Sequence, residues 1–179
     1  EDAPTLLEIL DHTITPMGGR MLKRWIVLPL KEKGPVEERL EMVELFIRDD
    51  ELANKLGIQF RLVGDLERLI SKVAVARINP RELVQVKNAL NAIDCIQNLC
   101  QESGHASLLK YAEQLNPCLS ARDRIQSEIN DEPPVQVAKG NIFREGVSEE
   151  LDELRNLAHS GKDYLEQIRN REVEKTGIS

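Results

Sequence analysis

Residues 79–100 read NPRELVQVKNALNAIDCIQNLC and carry the clearest helix signal of the chain. Asn79 is a favourable N-cap and Pro80 suits the first helical position. Glu82 stands three residues after the cap, where its carboxylate can bond back to the Asn79 backbone and complete a capping box. Apolar residues then recur at steps of three or four: Leu83, Val86, Leu90, Ile93 and Ile96. This spacing predicts an amphipathic helix to about Cys100 with one continuous apolar face.

Other parts of the chain carry helix signals of the same kind, whereas strand signals are nearly absent. Thr15 precedes Pro16 as a cap precedes a first helical residue, and Asp49 and Asp65 are further caps. Helices are predicted over 17–28, from 34–35 onward, from 49–50 toward 60, from 64–65 onward, over 108–115 and over 119–129. Their buried faces are expected to include Leu40, Val43, Leu45, Phe46, Leu66, Leu69, Ile70 and Val73. The predicted fold class is therefore all-α, a multi-helix domain.

The stretch 130–146 is the longest one without a helix signal. It contains Pro133 and Pro134, and a proline inside a helix removes a backbone donor. The segments 135–137 and 141–143 flank Lys139 and Gly140, so they could pair as a short β-hairpin near 135–143.

One long C-terminal helix is predicted from the Ser148 cap to residue 175, and it would span roughly 40 Å at 1.5 Å per residue. Its face of Leu151, Leu154, Ala158, Gly161, Leu165 and Ile168 is expected to pack on neighbouring helices, with Arg155, Asn156, His159 and Ser160 pointing away. The chain is accordingly divided into a helical core, 1–147, and a lever helix, 148–179.

Composition limits the classes of function. The 179 residues carry a net charge of −7 and only three Phe, two Tyr and one Trp. An acidic chain with few aromatic residues argues against a free-standing nucleic-acid-binding domain. Cys95, Cys100 and Cys118 are interpreted as reduced, buried thiols. No run of about 18 apolar residues predicts a membrane span. The chain begins at Glu1 without Met, and both ends are expected to be boundaries within a longer chain.

No catalytic, cofactor-binding or metal-binding site is predicted in this chain. Gly161-Lys162 lacks the upstream Gly and the following Ser or Thr of a phosphate-binding loop. The three histidines, His12, His105 and His159, lack the neighbours that metal sites need. Asp11, Asp65, Glu67 and Asp131 are interpreted mainly as helix-capping carboxylates. A cysteine nucleophile at Cys95 or Cys100 would lack an oriented base.

Three groups of motifs go further than composition. Residues 10–20 read LDHTITPMGGR and are followed by Leu22, Arg24, Trp25 and Pro29-Leu30. Residues 64–69 read GDLERL, and residues 77–83 read RINPREL. Residues 131–134 read DEPP, followed by Gly146, LDELR at 151–155 and REVEKTGI at 171–178.

Together these motifs resemble the central core and lever region of the MutS family of DNA mismatch repair proteins, in its bacterial mismatch-recognition branch. They cover nearly the whole chain in the family's order. One departure lies at 139–146, KGNIFREG, where the family commonly has Gly-Gly, an aliphatic pair and an Asp-Gly turn.

The resemblance implies a division of labour. Mismatch reading would belong to an N-terminal domain outside this chain, and ATP and Mg²⁺ binding to a C-terminal domain of a parent DNA-dependent ATPase. A clamp that grips DNA would insert after residues 176–178. The implied partners are mismatched duplex DNA, a second copy of the parent and a MutL-type protein, in the bacterial cytoplasm and near the nucleoid.

Within this chain, the resemblance implies a mechanical role in which residues fix helix packing and couple the nucleotide site to the clamp. The candidate coupling residues are Thr15, Pro16, Arg20, Asp65, Arg68, Asn79, Pro80, Glu82, Leu154 and Gly161. The alternatives are an independent helical protein-interaction scaffold, a weak duplex-DNA-binding domain and a small helical enzyme.

Overall fold

The computed structural model describes residues 3–176, except for the side chains of 162, 163, 166, 167, 172, 175 and 176. The described part is 73% helical, more than twice the share of an average globular domain, and contains no sheet. The all-α prediction is therefore confirmed. The helices are α1 Leu6–Leu10, α2 Pro16–Val27, α3 Lys33–Arg48, α4 Asp50–Val63, α5 Leu66–Ala74, α6 Pro80–Glu102, α7 Ala106–Gln114, α8 Leu119–Glu128 and α9 Glu149–Thr176.

The starts of four helices follow the local capping chemistry that the sequence indicated. The Asn79 side chain accepts from the Glu82 N–H at 3.0 Å, and the Glu82 carboxylate accepts from the Asn79 N–H at 3.1 Å. The capping box at the start of α6 is therefore confirmed. Thr15, Asp49 and Asp65 cap α2, α4 and α5 in the same way, each through a side-chain oxygen.

The core lies around α6, against which α4, α5, α7 and α8 pack. Its buried cluster comprises Leu52, Leu56 and Val63 of α4, Ala92, Ile96 and Cys100 of α6, and Leu108 and Ala112 of α7. The alanines at the contact leave room for neighbouring backbones to approach closely. The Gln97 amide donates to the carbonyl oxygens of Ala112 and Leu115, both at 2.9 Å, so it also satisfies the end of α7.

The segment proposed as a hairpin forms a different structure. Val137–Lys139 is a single 3₁₀ turn, and Phe143 pairs with Ile129 at the end of α8 in an isolated antiparallel bridge. Gly140 and Asn141 both have positive φ, +67° and +54°, and this turns the chain back toward α8. Residues 141–143 therefore find their hydrogen-bond partner on a helix end, which local sequence does not reveal.

Two expected helix faces are only partly buried. Leu45 and Phe46 of α3 pack against the core, but Leu40 and Val43 are exposed. On α5, likewise, Ile70 and Val73 are exposed, whereas Leu66 and Leu69 are half-buried. The predictions of burial for the four exposed side chains are wrong. The physical reason is that α3 packs chiefly on α4 and α5 chiefly on α6, and one neighbour covers only part of a wide apolar stripe.

The long helix α9 was predicted correctly in extent but not in packing. Leu154 is 58% exposed and Leu165 66% exposed, so that face is not buried within the described part of the chain. Arg155, expected to point away, is half-buried and contacts the core instead. α9 packs extensively against none of the other described helices. Within the described residues, no helix combines the length and apolar character that crossing a membrane requires.

The three cysteines are free thiols, as the sequence analysis expected, but only one of them is buried. Cys100 is buried in the core, and burial raises the pKa of its thiol. Cys95 and Cys118 are exposed, so their predicted burial is wrong. Cys95 lies on the solvent side of α6, five residues from Cys100 and therefore on a different face of the helix.

Candidate helix-coupling site

Two groups of polar contacts tie distant helices together, and the first joins α2 to α5. The Arg20 guanidinium makes a two-pronged contact with the Asp65 carboxylate, at 3.1 and 2.7 Å, across 45 residues of sequence. It also donates to Glu67 at 3.1 and 2.6 Å. Forked pairing of this kind fixes orientation as well as distance. α2 is thereby held at the first turn of α5.

Asp65 serves two purposes at this contact. Besides accepting from Arg20, it caps α5 by accepting from the Arg68 N–H at 3.4 Å. The hydrogen bond from Arg20 holds the pKa of Asp65 below its usual range, and the Arg68 N–H adds to that effect. The hydrogen bonds that Arg20 donates to Asp65 and Glu67 raise the pKa of Arg20. Both groups are therefore charged at neutral pH.

The contact continues from α5 to α6. Lys72, in the last turn of α5, donates to one oxygen of Glu82, whose other oxygen accepts from the Asn79 N–H. The hydrogen bond from Lys72 contributes most to lowering the pKa of Glu82, and the bond from the Asn79 N–H adds to it. One carboxylate thus closes the capping box of α6 and anchors α5. We call this set, Arg20, Asp65, Glu67, Lys72, Asn79 and Glu82, the α2–α5–α6 junction.

The structure brings some of the candidate coupling residues together and leaves others apart. Arg20, Asp65, Asn79 and Glu82 belong to the junction. Thr15 and Pro16 stand at the start of α2, where the Thr15 hydroxyl accepts from the Gly18 N–H at 3.0 Å. Pro80 is buried at the first position of α6. Arg68 contributes its backbone N–H to the Asp65 carboxylate, and its side chain is exposed. Leu154 and Gly161 lie away from the junction on the exposed part of α9.

The second group of contacts holds the base of α9, and the sequence analysis did not single it out. Lys87 of α6 is buried, and its ammonium lies 3.1 Å from one oxygen of Asp131. Arg144 lies 2.8 Å from the other oxygen. The adjacent Arg144 guanidinium, followed by the hydrogen bond from the Lys87 ammonium, lowers the pKa of Asp131. One available signal was Lys87 itself, a charge placed directly after an apolar position of the α6 stripe.

The chain of contacts then reaches α9. Arg155, in its second turn, donates to the Phe143 carbonyl at 2.9 Å and pairs with Asp152 at 2.9 Å. The other oxygen of Asp152 accepts from the Gly146 N–H at 2.7 Å. We call the set of Lys87, Asp131, Phe143, Arg144, Gly146, Asp152 and Arg155 the α9 socket. It joins the first two turns of α9 to the core.

Both groups consist of permanent charges and backbone amides that fix one helix against another. Among the described residues, no three His, Cys, Asp or Glu side chains come together as metal ligands would. An open, apolar groove of about 480 Å³ lies beside the socket, between α8, the start of α6 and residues 129–143. The arrangement is suited to holding helix directions, and its ion pairs offer no arranged acid, base and nucleophile.

Comparison with known proteins identifies the family of this chain. A family model described as MutS domain III matches residues 1–175. The chain is 54% identical over 174 residues to the DNA mismatch repair protein MutS of Bacteroides thetaiotaomicron. The aligned region covers 97% of the chain and 20% of that relative. The chain is 53% identical over 178 residues to the DNA mismatch repair protein MutS of Parabacteroides distasonis and 43% identical over 178 residues to that of Flavobacterium johnsoniae, each covering 99% of the chain and 20% of the relative. The chain spans about a fifth of the length of these relatives. It belongs to the MutS domain III family.

Proposed function

We propose that this chain is the core and lever portion of a longer DNA mismatch repair protein, in which it transmits movement between a nucleotide-binding domain and a DNA clamp. The relatives that it matches are each named as DNA mismatch repair proteins and are about five times its length. The bound ATP and Mg²⁺, the mismatched duplex, a second copy of the parent and a MutL-type partner would all contact the longer protein. The longer protein would act in the bacterial cytoplasm, near the nucleoid.

The observation that carries this proposal is the way in which α9 leaves the core. Its 28 residues span about 42 Å at 1.5 Å per residue. Among the described residues, the hydrogen bonds that α9 makes with the rest of the chain come from its first two turns, through Asp152 and Arg155. A rod that is fixed at one end converts a small rotation of its base into a large displacement of its tip. For a 42 Å rod, a 10° rotation moves the tip by about 7 Å.

The same geometry identifies the contact to break. Arg155→Met removes both the Asp152 ion pair and the donor to the Phe143 carbonyl, but keeps an unbranched side chain that tolerates a helix. In the full-length protein, the variant should still bind ATP and mismatched duplex separately. Because the base of the lever is loosened, nucleotide-induced release from the duplex should weaken. Such coupling is commonly about 5–150-fold in affinity.

Arg124→Met is the matched control. It makes the same change in α8, where Arg124 forms an ion pair with Glu128 at 2.8 Å and has no hydrogen bond or ion pair with the described residues of α9. Duplex release should then respond to ATP as in the parent. Full coupling in a folded Arg155→Met variant would count against the lever function, whereas equal loss in both variants would indicate a general effect of removing charge.

A second candidate function, a helical protein-interaction scaffold, is favoured by the exposed apolar faces. Ile70 and Val73 of α5 are exposed, as is Val75, which follows the helix. Trp25 of α2 is covered on one face by the Arg39 guanidinium, 3.5 Å from the ring centre. Large exposed apolar surfaces commonly mark contacts with other domains or proteins. Hydrogen exchange separates the two functions. Protection of α5 in the full-length monomer indicates packing within one protein, and protection that requires an added protein supports the scaffold.

A further inference from the structure

A buried charge lies at the centre of the α9 socket. Lys87 is only 7% exposed, and among the described residues it is the one charged residue that is buried. Its ammonium has one described hydrogen-bond partner, the Asp131 carboxylate. Because a buried ammonium without a partner is strongly unfavourable, Asp131 is held beside α6.

Asp131 is also tied to the segment that leads into α9. Its second oxygen pairs with Arg144, whose Nε donates to the Gln126 carbonyl near the end of α8 at 2.9 Å. The Arg144 N–H donates to the Glu128 carbonyl at 2.8 Å. A single carboxylate therefore joins α6 to a residue that is bonded to α8 at two points.

The residue before Arg144 carries the attachment of α9. The Phe143 carbonyl accepts from Arg155 at 2.9 Å and from the Asn130 amide at 3.1 Å. Asn130 is itself the neighbour of Asp131 in sequence. Asp131 is therefore connected to the Phe143 carbonyl by two routes, through Asn130 and through Arg144.

We propose that Asp131 is the positioning residue that sets the direction in which α9 leaves the core, by holding Lys87 and Arg144 together. The proposal concerns the direction of the helix. It rests on the proposed function only where that direction is converted into coupling between nucleotide and duplex. Asp131 is 61% exposed, so a neutral amide of the same shape fits there without steric conflict.

The direction of α9 can be measured directly with spin labels. Cys95 is an exposed native label site on α6, and Asn156→Cys supplies an exposed site on α9. Cys118→Ser removes the other exposed thiol, and Cys100 remains because it is buried. Pulsed electron paramagnetic resonance on the 179-residue chain should give a narrow distribution of distances between the two spin labels. In Asp131→Asn the distribution should broaden and its centre should shift.

Two further variants separate positioning from simple stabilisation. Asp131→Asn leaves Lys87 buried without a charged partner. The helix content of this variant is therefore compared with that of the parent chain by circular dichroism. Lys87→Met combined with Asp131→Asn removes the buried charge together with its partner, which relieves that cost. If Asp131 sets the direction of α9, the double variant regains thermal stability but keeps the broad distribution. Asp123→Asn, at a carboxylate that is 65% exposed and paired with Arg122 at 2.8 Å, is the matched control and should keep the narrow one.

The outcomes distinguish this proposal from the proposed function. A narrow, unshifted distribution in the folded double variant overturns the role of Asp131, whatever happens to coupling. A broad distribution together with weakened ATP-induced duplex release in the full-length protein supports both. A broad distribution with full coupling supports the role of Asp131 and counts against the lever function.

Discussion

The exposed middle of α9 allows the stiffness of the helix to be changed without disturbing the core. His159 and Ser160 lie at the eleventh and twelfth positions of the helix, and both are exposed. We compare His159→Gly/Ser160→Gly with His159→Ala/Ser160→Ala. Both variants remove the side chains, including the hydroxyl of Ser160 that donates to the Asn156 carbonyl at 2.9 Å. They differ only in the conformational freedom of the backbone.

The magnitude follows from that exposure. Because neither side chain is packed, no cavity is created, and the difference between the variants is one of helix propensity alone. Glycine is about 0.8–1.0 kcal/mol less favourable than alanine at each interior position, so the pair differs by about 1.6–2.0 kcal/mol. At 1.4 kcal/mol per tenfold, local opening of the helix should become about 15–30 times more frequent in the glycine variant. The domain should stay folded, since global stability is commonly about 5–15 kcal/mol.

Hydrogen exchange provides the measurement. Amides near residues 156–161 should exchange about 15–30-fold faster in the glycine variant than in the alanine variant, while those of α6 should be unchanged. In the full-length protein, the glycine variant should bind ATP and duplex but lose nucleotide-induced release, and the alanine variant should retain it. If α9 exchanges faster by this factor and coupling is nevertheless complete, the signal does not pass along this helix and the lever function must be abandoned.

Three further predictions concern stability and binding. Asn79→Ala removes the cap of α6 and should lower the free energy of unfolding by about 1 kcal/mol, measured by urea titration; no change would mean that the capping box contributes nothing. The pKa of Asp65 is lowered in the folded state, so its ion pair stabilises the fold at neutral pH, and that stabilisation is lost as the pH falls through the lowered folded-state pKa. Asp65→Asn, which can still cap α5, should therefore flatten the fall in stability at acidic pH, and an unaltered acid profile would contradict this. The 179-residue chain alone should bind no ATP by calorimetry and bind duplex weakly, losing affinity with added salt and showing no preference for a mismatch; a tenfold preference for mismatched duplex, about 1.4 kcal/mol, would overturn this.

Helix starts and extents were predictable because their causes lie within a few residues. Asn79, Pro80 and Glu82 determine the start of α6 through hydrogen bonds across one turn, and they do so whatever surrounds them. α9 likewise begins next to Ser148, whose hydroxyl accepts from the Leu151 N–H at 3.3 Å. The family resemblance was equally a property of the sequence, since it depended on motifs in order along the chain.

Contacts between segments far apart in sequence were decided only by the tertiary structure. The spacing of α5 showed an apolar stripe, but the position of α6 determined that Ile70 and Val73 are exposed. Residues 141–143 resembled half of a hairpin, yet Phe143 pairs with Ile129 because positive φ angles at Gly140 and Asn141 direct the chain to the end of α8.

The α2–α5–α6 junction and the α9 socket differ in how much of each the sequence indicated. The sequence by itself indicated Asp65 and Glu82, because each caps a helix that starts beside it, but it did not indicate that Arg20 and Lys72 would pair with them. It suggested Asp131 as a helix cap and did not indicate the α9 socket, because Lys87 pairs with Asp131 and Arg155 reaches the Phe143 carbonyl only after α6, α8 and the loop 129–146 have packed. Local hydrogen bonds depend on spacing along the chain, whereas an ion pair across 44 residues depends on the whole arrangement that brings its partners together.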